Sequence, residues 1–99
     1  MKEVRLQTHK RTYELLQMEH NESTTGFFAK VIKLVNQIRV CGEVLTSRPV
    51  NGKILRSLAP KFDHVIVAIE EATDLSKLTK EELQGTLESH EQRMVERAA

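Results

Sequence analysis

The chain has 99 residues, 15 Lys/Arg against 14 Asp/Glu for a net charge of +1, and 39% hydrophobic and 29% charged residues. That balance is ordinary for one folded soluble domain spanning 1–99 and excludes a disordered tail, while four Gly and two Pro exclude a linker or a loop-rich β fold. One cysteine excludes an internal disulfide and a zinc site drawn mainly from thiolates, so a reducing, intracellular setting is expected.

Taken in chain order, Lys2 to Glu19 reads as a first helix, with Leu6, Tyr13 and Leu16 on one face and Leu15 and Met18 widening it. His9 interrupts the aliphatic row and is read as a packed or partly exposed side chain rather than a ligand. His20-Asn21-Glu22-Ser23 breaks the period. Ser23 then supplies the cap of a second helix running to Cys41, whose apolar residues fall at spacings of three and four on two adjacent, overlapping rows: Phe28, Val31, Ile32, Val35 and Ile38, then Phe27, Val31, Leu34, Ile38 and Cys41. A face that wide must be covered from more than one side, which makes this the central helix. Gly26 stands where a capping box wants Glu and weakens this start by about 1 kcal/mol, and Gly42 is the C-terminal cap.

A third helix is expected from Thr46 or Ser47, with Pro49 in its first turn and Val50, Ile54, Leu55 and Leu58 as its buried row; Asn51-Gly52 is a poor interior for it. Pro60 closes it or opens a fourth, marked by Phe62, Val65, Ile66 and Ile69 and ending near Ala72 with Glu70 and Glu71 turned outward. The fifth helix has the clearest local signal, a capping box of Thr79 with Glu82 framed by a hydrophobic staple of Leu78 with Leu83. Its stripe of Leu83, Leu87, His90 and Met94 suits one packing contact, and fraying is expected beyond Glu96. The fold class is therefore all-α, a compact bundle of about five helices.

Charge is unevenly divided: residues 1–69 hold eleven Lys/Arg against six Asp/Glu, a balance of +5, and residues 70–99 hold four against eight, a balance of −4. Solvated helix faces of different sign account for this, and the same asymmetry suits head-to-tail contact between copies. No apolar run reaches the roughly 18 residues a membrane helix needs, and MKEVRLQTHK lacks a signal-peptide core. No metalloprotease helix motif, Gly-rich phosphate loop, nucleophile elbow or zinc knuckle is present, and the four histidines are never paired at ligand spacing. Cys41, closing an apolar face, is read as a buried structural thiol, and the Glu70/Glu71 and Glu81/Glu82 pairs as solvated faces. No catalytic, metal or cofactor residue is assigned, and neither a membrane nor a small-molecule substrate is expected as a partner. Lys2, Arg5, Lys10 and Arg11 form a basic patch interleaved with Glu3 and Glu14, which allows weak non-specific RNA contact but not sequence-specific recognition.

Four segments, LQTHKRTYELLQM at 6–18, NESTTGFFAKVIKLVNQIRVCGE at 21–43, KILRSLAPKFDHVIVAIEE at 53–71 and DLSKLTKEELQGTLESHEQRM at 74–94, span nearly the whole chain. Together they resemble the Gag polyprotein of copia-type LTR retrotransposons, in its helical capsid region. The resemblance implies a piece of a longer Gag, a lobe similar to the retroviral capsid C-terminal lobe, which self-associates as at least a dimer into a cytoplasmic virus-like particle. It also implies that Glu22, Phe27 and Lys30 occupy the glutamate, aromatic and basic positions of the retroviral major homology region, Glu22 and Lys30 holding a turn against the helix. The dimer helix of retroviral relatives corresponds to Ser47–Leu58, with Val50, Asn51 and Ile54 as candidate self-association residues. Thr24-Thr25-Gly26 departs from the usual apolar-acidic-acidic run, His9 replaces an aliphatic residue, and Arg48-Pro49 and Asn51-Gly52 replace acidic and helix-forming ones. The zinc knuckle that normally follows in Gag lies outside these residues, so RNA packaging is not assigned to them. A different class of function, an adaptor derived from Gag that binds host proteins or peptides in a hydrophobic groove, is the alternative.

Overall fold

In the computed structural model, which describes the backbone of residues 2–98 and the side chains of residues 4–98, the apolar run after Ser23 forms α2 (Thr24–Val40). Its Phe27, Phe28, Val31, Val35 and Ile38 are almost wholly buried, so the wide face is covered as its width requires. The cover comes from α1 (Lys2–Leu15) on one side and α5 (Lys80–Ala98) on another. α3 (Ser47–Ser57), a 3-10 turn at Pro60–Phe62 and α4 (Asp63–Ala72) complete the order. The fold is an all-α bundle of five helices with no strand among the described residues. One cluster joins Phe27, Phe28, Val31 and Val35 to Val50, Ile54 and Leu55 of α3, Phe62, Val65 of α4, and Leu83 and Leu87 of α5. The Phe27 and Phe28 rings meet edge to face, 6.4 Å between centroids at 87°.

α1 stops at Leu15, four residues short of the expected end. The cause is tertiary. The ammonium of Lys53 on α3 donates to the Glu14 carbonyl at 2.7 Å, closing the helix with a cation where its dipole favours one. The chain then runs non-helically so that Met18 is buried and its N–H donates to the Ser57 carbonyl at 2.8 Å, at the end of α3. Burial and the neighbouring Arg56 guanidinium lower the Lys53 pKa, while burial raises that of Tyr13, whose ring lies 5.9 Å from the same ammonium.

Gly42 ends α2 at φ +98°, the conformation that glycine adopts at least cost. Its N–H donates to the Arg39 carbonyl at 2.9 Å and the Glu43 N–H to the Ile38 carbonyl at 3.4 Å, the pair of bonds that defines a Schellman cap. At the start of α3 Thr46 occupies the cap position without a side-chain bond, so burial of Val50, Ile54 and Leu55 rather than capping carries that helix. The α5 box forms as the spacing predicts: the Glu82 N–H donates to Thr79 Oγ1 at 3.0 Å and the Thr79 N–H to Glu82 Oε1 at 3.3 Å. α5 continues to Ala98, beyond the expected fraying point, with Arg97 in its last turn to meet the helix dipole. The molecule measures 49 × 28 × 18 Å, an elongated block.

An added Cβ at Gly42 meets nothing within 4 Å, so replacing it tests backbone strain alone. Gly42→Ala is expected to cost about 1 kcal/mol, a drop of roughly 4–8 °C in the midpoint of thermal unfolding followed by circular dichroism.

Candidate functional site

The polar lead-in to α2 is where sequence reasoning placed a fold-maintaining site, and the local geometry is built from three carboxylate contacts. Glu22 folds the 19–22 turn on itself: its N–H donates to the Glu19 carbonyl at 3.1 Å, and its Oε1 accepts the Glu19 N–H at 3.1 Å. Its other oxygen meets the Lys30 ammonium at 2.6 Å, two turns into α2. The Glu22 side chain is 11% exposed and that of Lys30 50%, so the acid is the anchored partner. Partial burial pushes the Glu22 carboxyl up, but the hydrogen bonds from Lys30 and the Glu19 backbone, with the Lys30 charge, outweigh it and hold the pKa below the usual carboxylate value. The same hydrogen bond raises the Lys30 pKa against a smaller opposing effect of burial. Phe27 is fully buried at the core centre. The three residues thus sit on one helix start, with the ion pair outside and the ring inside.

Ser23 caps α2 through its hydroxyl oxygen, which accepts the Gly26 N–H at 3.0 Å. A Cβ on Gly26 would stand 3.1 Å from that oxygen, so glycine lets the cap close tightly. The third contact was not visible in the sequence. Glu91, on α5, reaches across to the first turn of α2, where its Oε2 accepts both the Thr24 N–H at 2.9 Å and the Thr24 hydroxyl at 3.0 Å. Thr24 is fully buried, and α2 has no acidic residue in its own first turn. Glu91 supplies the negative charge that the helix N-terminus favours and that Thr24-Thr25-Gly26 lacks. No local spacing signals a partner 67 residues away.

The candidate self-association residues stand elsewhere. Val50, Asn51 and Ile54 are 2%, 0% and 0% exposed, part of the protein's own interior. This corrects their assignment to an intermolecular face, since side chains wholly packed inside one copy have no surface to offer a second. Their row on α3 points at the core because its opposite face bears Arg48 and Arg56. Asn51 has a different task. Its Nδ2 donates to the Leu75 carbonyl at 2.9 Å and the Leu78 carbonyl at 2.7 Å, pinning the α4–α5 loop and explaining why a poor helix former is kept inside α3.

His9 is half-buried between α1 and α2, beside Cys41. Cys41 is likewise only half-buried, not the buried thiol expected, because it is the cap residue where α2 ends. In the basic patch Lys10 is engaged by Glu43 at 3.1 Å, Arg5 and Arg11 are exposed, and the Lys2 side chain lies outside the described residues. Among the described residues no group of three or more His, Cys, Asp and Glu gathers to hold a metal, and no helix is long and apolar enough to cross a membrane. An apolar groove opens between α4 and α5, floored by Val65, Ile69, Leu78 and Leu83 with Thr86 and His90 on its wall. Compared with known proteins, residues 1–99 match the family described as gag-polypeptide of LTR copia-type. No curated protein and no solved structure matches the chain.

Removing the Glu91 carboxylate strands a buried N–H and hydroxyl on Thr24, so Glu91→Ala is expected to cost about 2 kcal/mol in urea unfolding, and Glu91→Gln, which keeps an acceptor, less. A carboxyl whose folded pKa is depressed contributes stability above its unfolded pKa and loses it as pH falls through the folded value. Stability of the native chain should therefore fall as pH drops below about 4.3, and Glu22→Gln should flatten that acid limb while leaving the slope between pH 6 and 8 unchanged, read from unfolding midpoints across the range.

Proposed function

The chain belongs to the gag-polypeptide family of LTR copia-type retrotransposons, and from that premise we propose that it is a capsid-like structural lobe that self-associates to build the shell of a cytoplasmic virus-like particle. The observation that carries this reading is the extent of the family match, residues 1–99. The all-helical architecture and the Glu22–Lys30 clamp over a buried Phe27 support it, because a shell subunit needs an interior that holds its shape while its surface engages copies. Its role in this reading is structural and not catalytic.

Exposed apolar side chains are the natural material of such contacts. Val4, Leu15, Val40, Val44, Val67 and Val95 all lie more than half exposed. RNA contact, in the same reading, is weak and non-specific, carried by Arg5 and Arg11 with Lys10 already drawn to Glu43. The adaptor alternative would use the α4–α5 groove, whose floor is apolar and open.

Light scattering over a concentration series separates the two. Self-association is expected to raise the average mass above the 11.3 kDa of one chain as concentration rises. A mass that stays at one chain throughout would remove the shell reading and leave the adaptor.

A further inference from the structure

The charge asymmetry of the sequence becomes a spatial one. α1 lies along α2 in the opposite direction, with Arg5 beside Val40 and Cys41, and Leu16 beside Lys30 and Leu34. The start of α1 and the end of α2 therefore share one end of the molecule. There Val40 and Val44 are 79% and 82% exposed, next to Arg5 and Arg39. Neither arginine has a carboxylate within ion-pair distance among the described residues, and Arg39 donates to the Leu45 carbonyl at 2.8 Å, which holds its charge at this end.

The last turns of α5 lie elsewhere. Glu91 touches Thr24 at the beginning of α2, and a shallow concave surface next to it is lined by Glu88, Gln92, Val95 and Glu96. Val95 is 64% exposed there, and Glu88 and Glu96 have no cation within ion-pair distance among the described residues. Thr24 and Val40 are sixteen residues apart on one helix, roughly 24 Å at 1.5 Å per residue. At the Val40 end Glu43 is taken up by Lys10, which leaves the positive charge of Arg5 and Arg39 beside the valines, while Glu88 and Glu96 leave the Val95 surface negative, and the two patches stand at different ends.

We propose that copies of this chain join head to tail, the Val95 surface of one copy seating against the Val40 and Val44 end of the next, with Glu88 and Glu96 facing Arg5 and Arg39. This rests on the self-association reading above and gives it a geometry. Like-signed patches repel when paired with themselves, so a two-fold contact through either one is disfavoured and a contact between unlike ends is favoured. Each copy added leaves one free end of each kind. Association of this sort continues into a filament or closes into a ring, and does not stop at a dimer. The valines contribute the apolar contact, and the exposed charges steer the approach and are screened by salt.

The test is sedimentation velocity on the full chain, comparing the native sequence, Val40→Asp, Val95→Asp and an equimolar mixture of the two variants, each checked for helicity by circular dichroism. The native chain is expected to exceed the mass of a dimer as concentration rises, less so when salt is raised from 0.05 to about 1 M. Each variant alone should lose at least about tenfold in association constant. The mixture should recover a heterodimer and go no further, because Val40→Asp keeps an intact Val95 surface and Val95→Asp an intact Val40 end. If Val40→Asp lost helicity, Arg5→Glu would replace it at the same end. Native association with variants that behave like it, or a mixture that stays monomeric, would overturn the head-to-tail arrangement and leave self-association standing. A native chain that is monomeric at every concentration would overturn both.

Discussion

The bundle depends on a carboxylate that α5 delivers to the start of α2. α2 is the helix everything else covers, yet its first turn holds Thr24, Thr25 and Gly26 and no acid of its own. Its first N–H and the Thr24 hydroxyl are buried, where an unpaired donor is costly. Glu91 Oε2 satisfies both at once. The same bond fixes how α5 lies across α2, and that in turn carries Leu83 and Leu87 into the core beside Phe27 and Phe28. One polar contact thereby orders an apolar one.

The same division of labour recurs. Lys53 closes α1 through the Glu14 carbonyl, Met18 hydrogen-bonds the end of α3, and Asn51 holds two loop carbonyls between α4 and α5. Each satisfies backbone groups that a helix end or a buried loop would leave orphaned. Hydrophobic burial supplies the driving force, but it is non-directional. These few directional bonds select which helix ends meet. Asn51 shows the cost of that arrangement, since it occupies a helix interior where an aliphatic residue would suit α3 better in isolation.

For a Gag-family chain the consequence is a separation between inside and outside. The clamps and the core are used up within one copy, including the Val50, Asn51 and Ile54 row on α3. What remains at the surface is isolated apolar side chains, a basic end where α1 and α2 meet, and an acidic stretch on α5. Interactions of that kind are individually weak and salt-sensitive, so in the self-association proposed above they favour reversible contact over a permanent interface.

Periodicity and local capping determined much of the fold. The rows on α2 and α4, the Thr79–Glu82 box and the Gly42 cap all depend on residues within a few positions of each other, so the chain itself encodes them. The Glu22, Phe27 and Lys30 positions came from resemblance, and the structure brings them to one helix start. Only the tertiary structure decided where α1 ends, that Asn51 turns inward to hold the loop between α4 and α5, and that Glu91 completes α2. Those three outcomes share a physical reason. Each is set by a hydrogen bond or a packing contact between residues far apart in sequence, and such pairs leave no period or spacing to read.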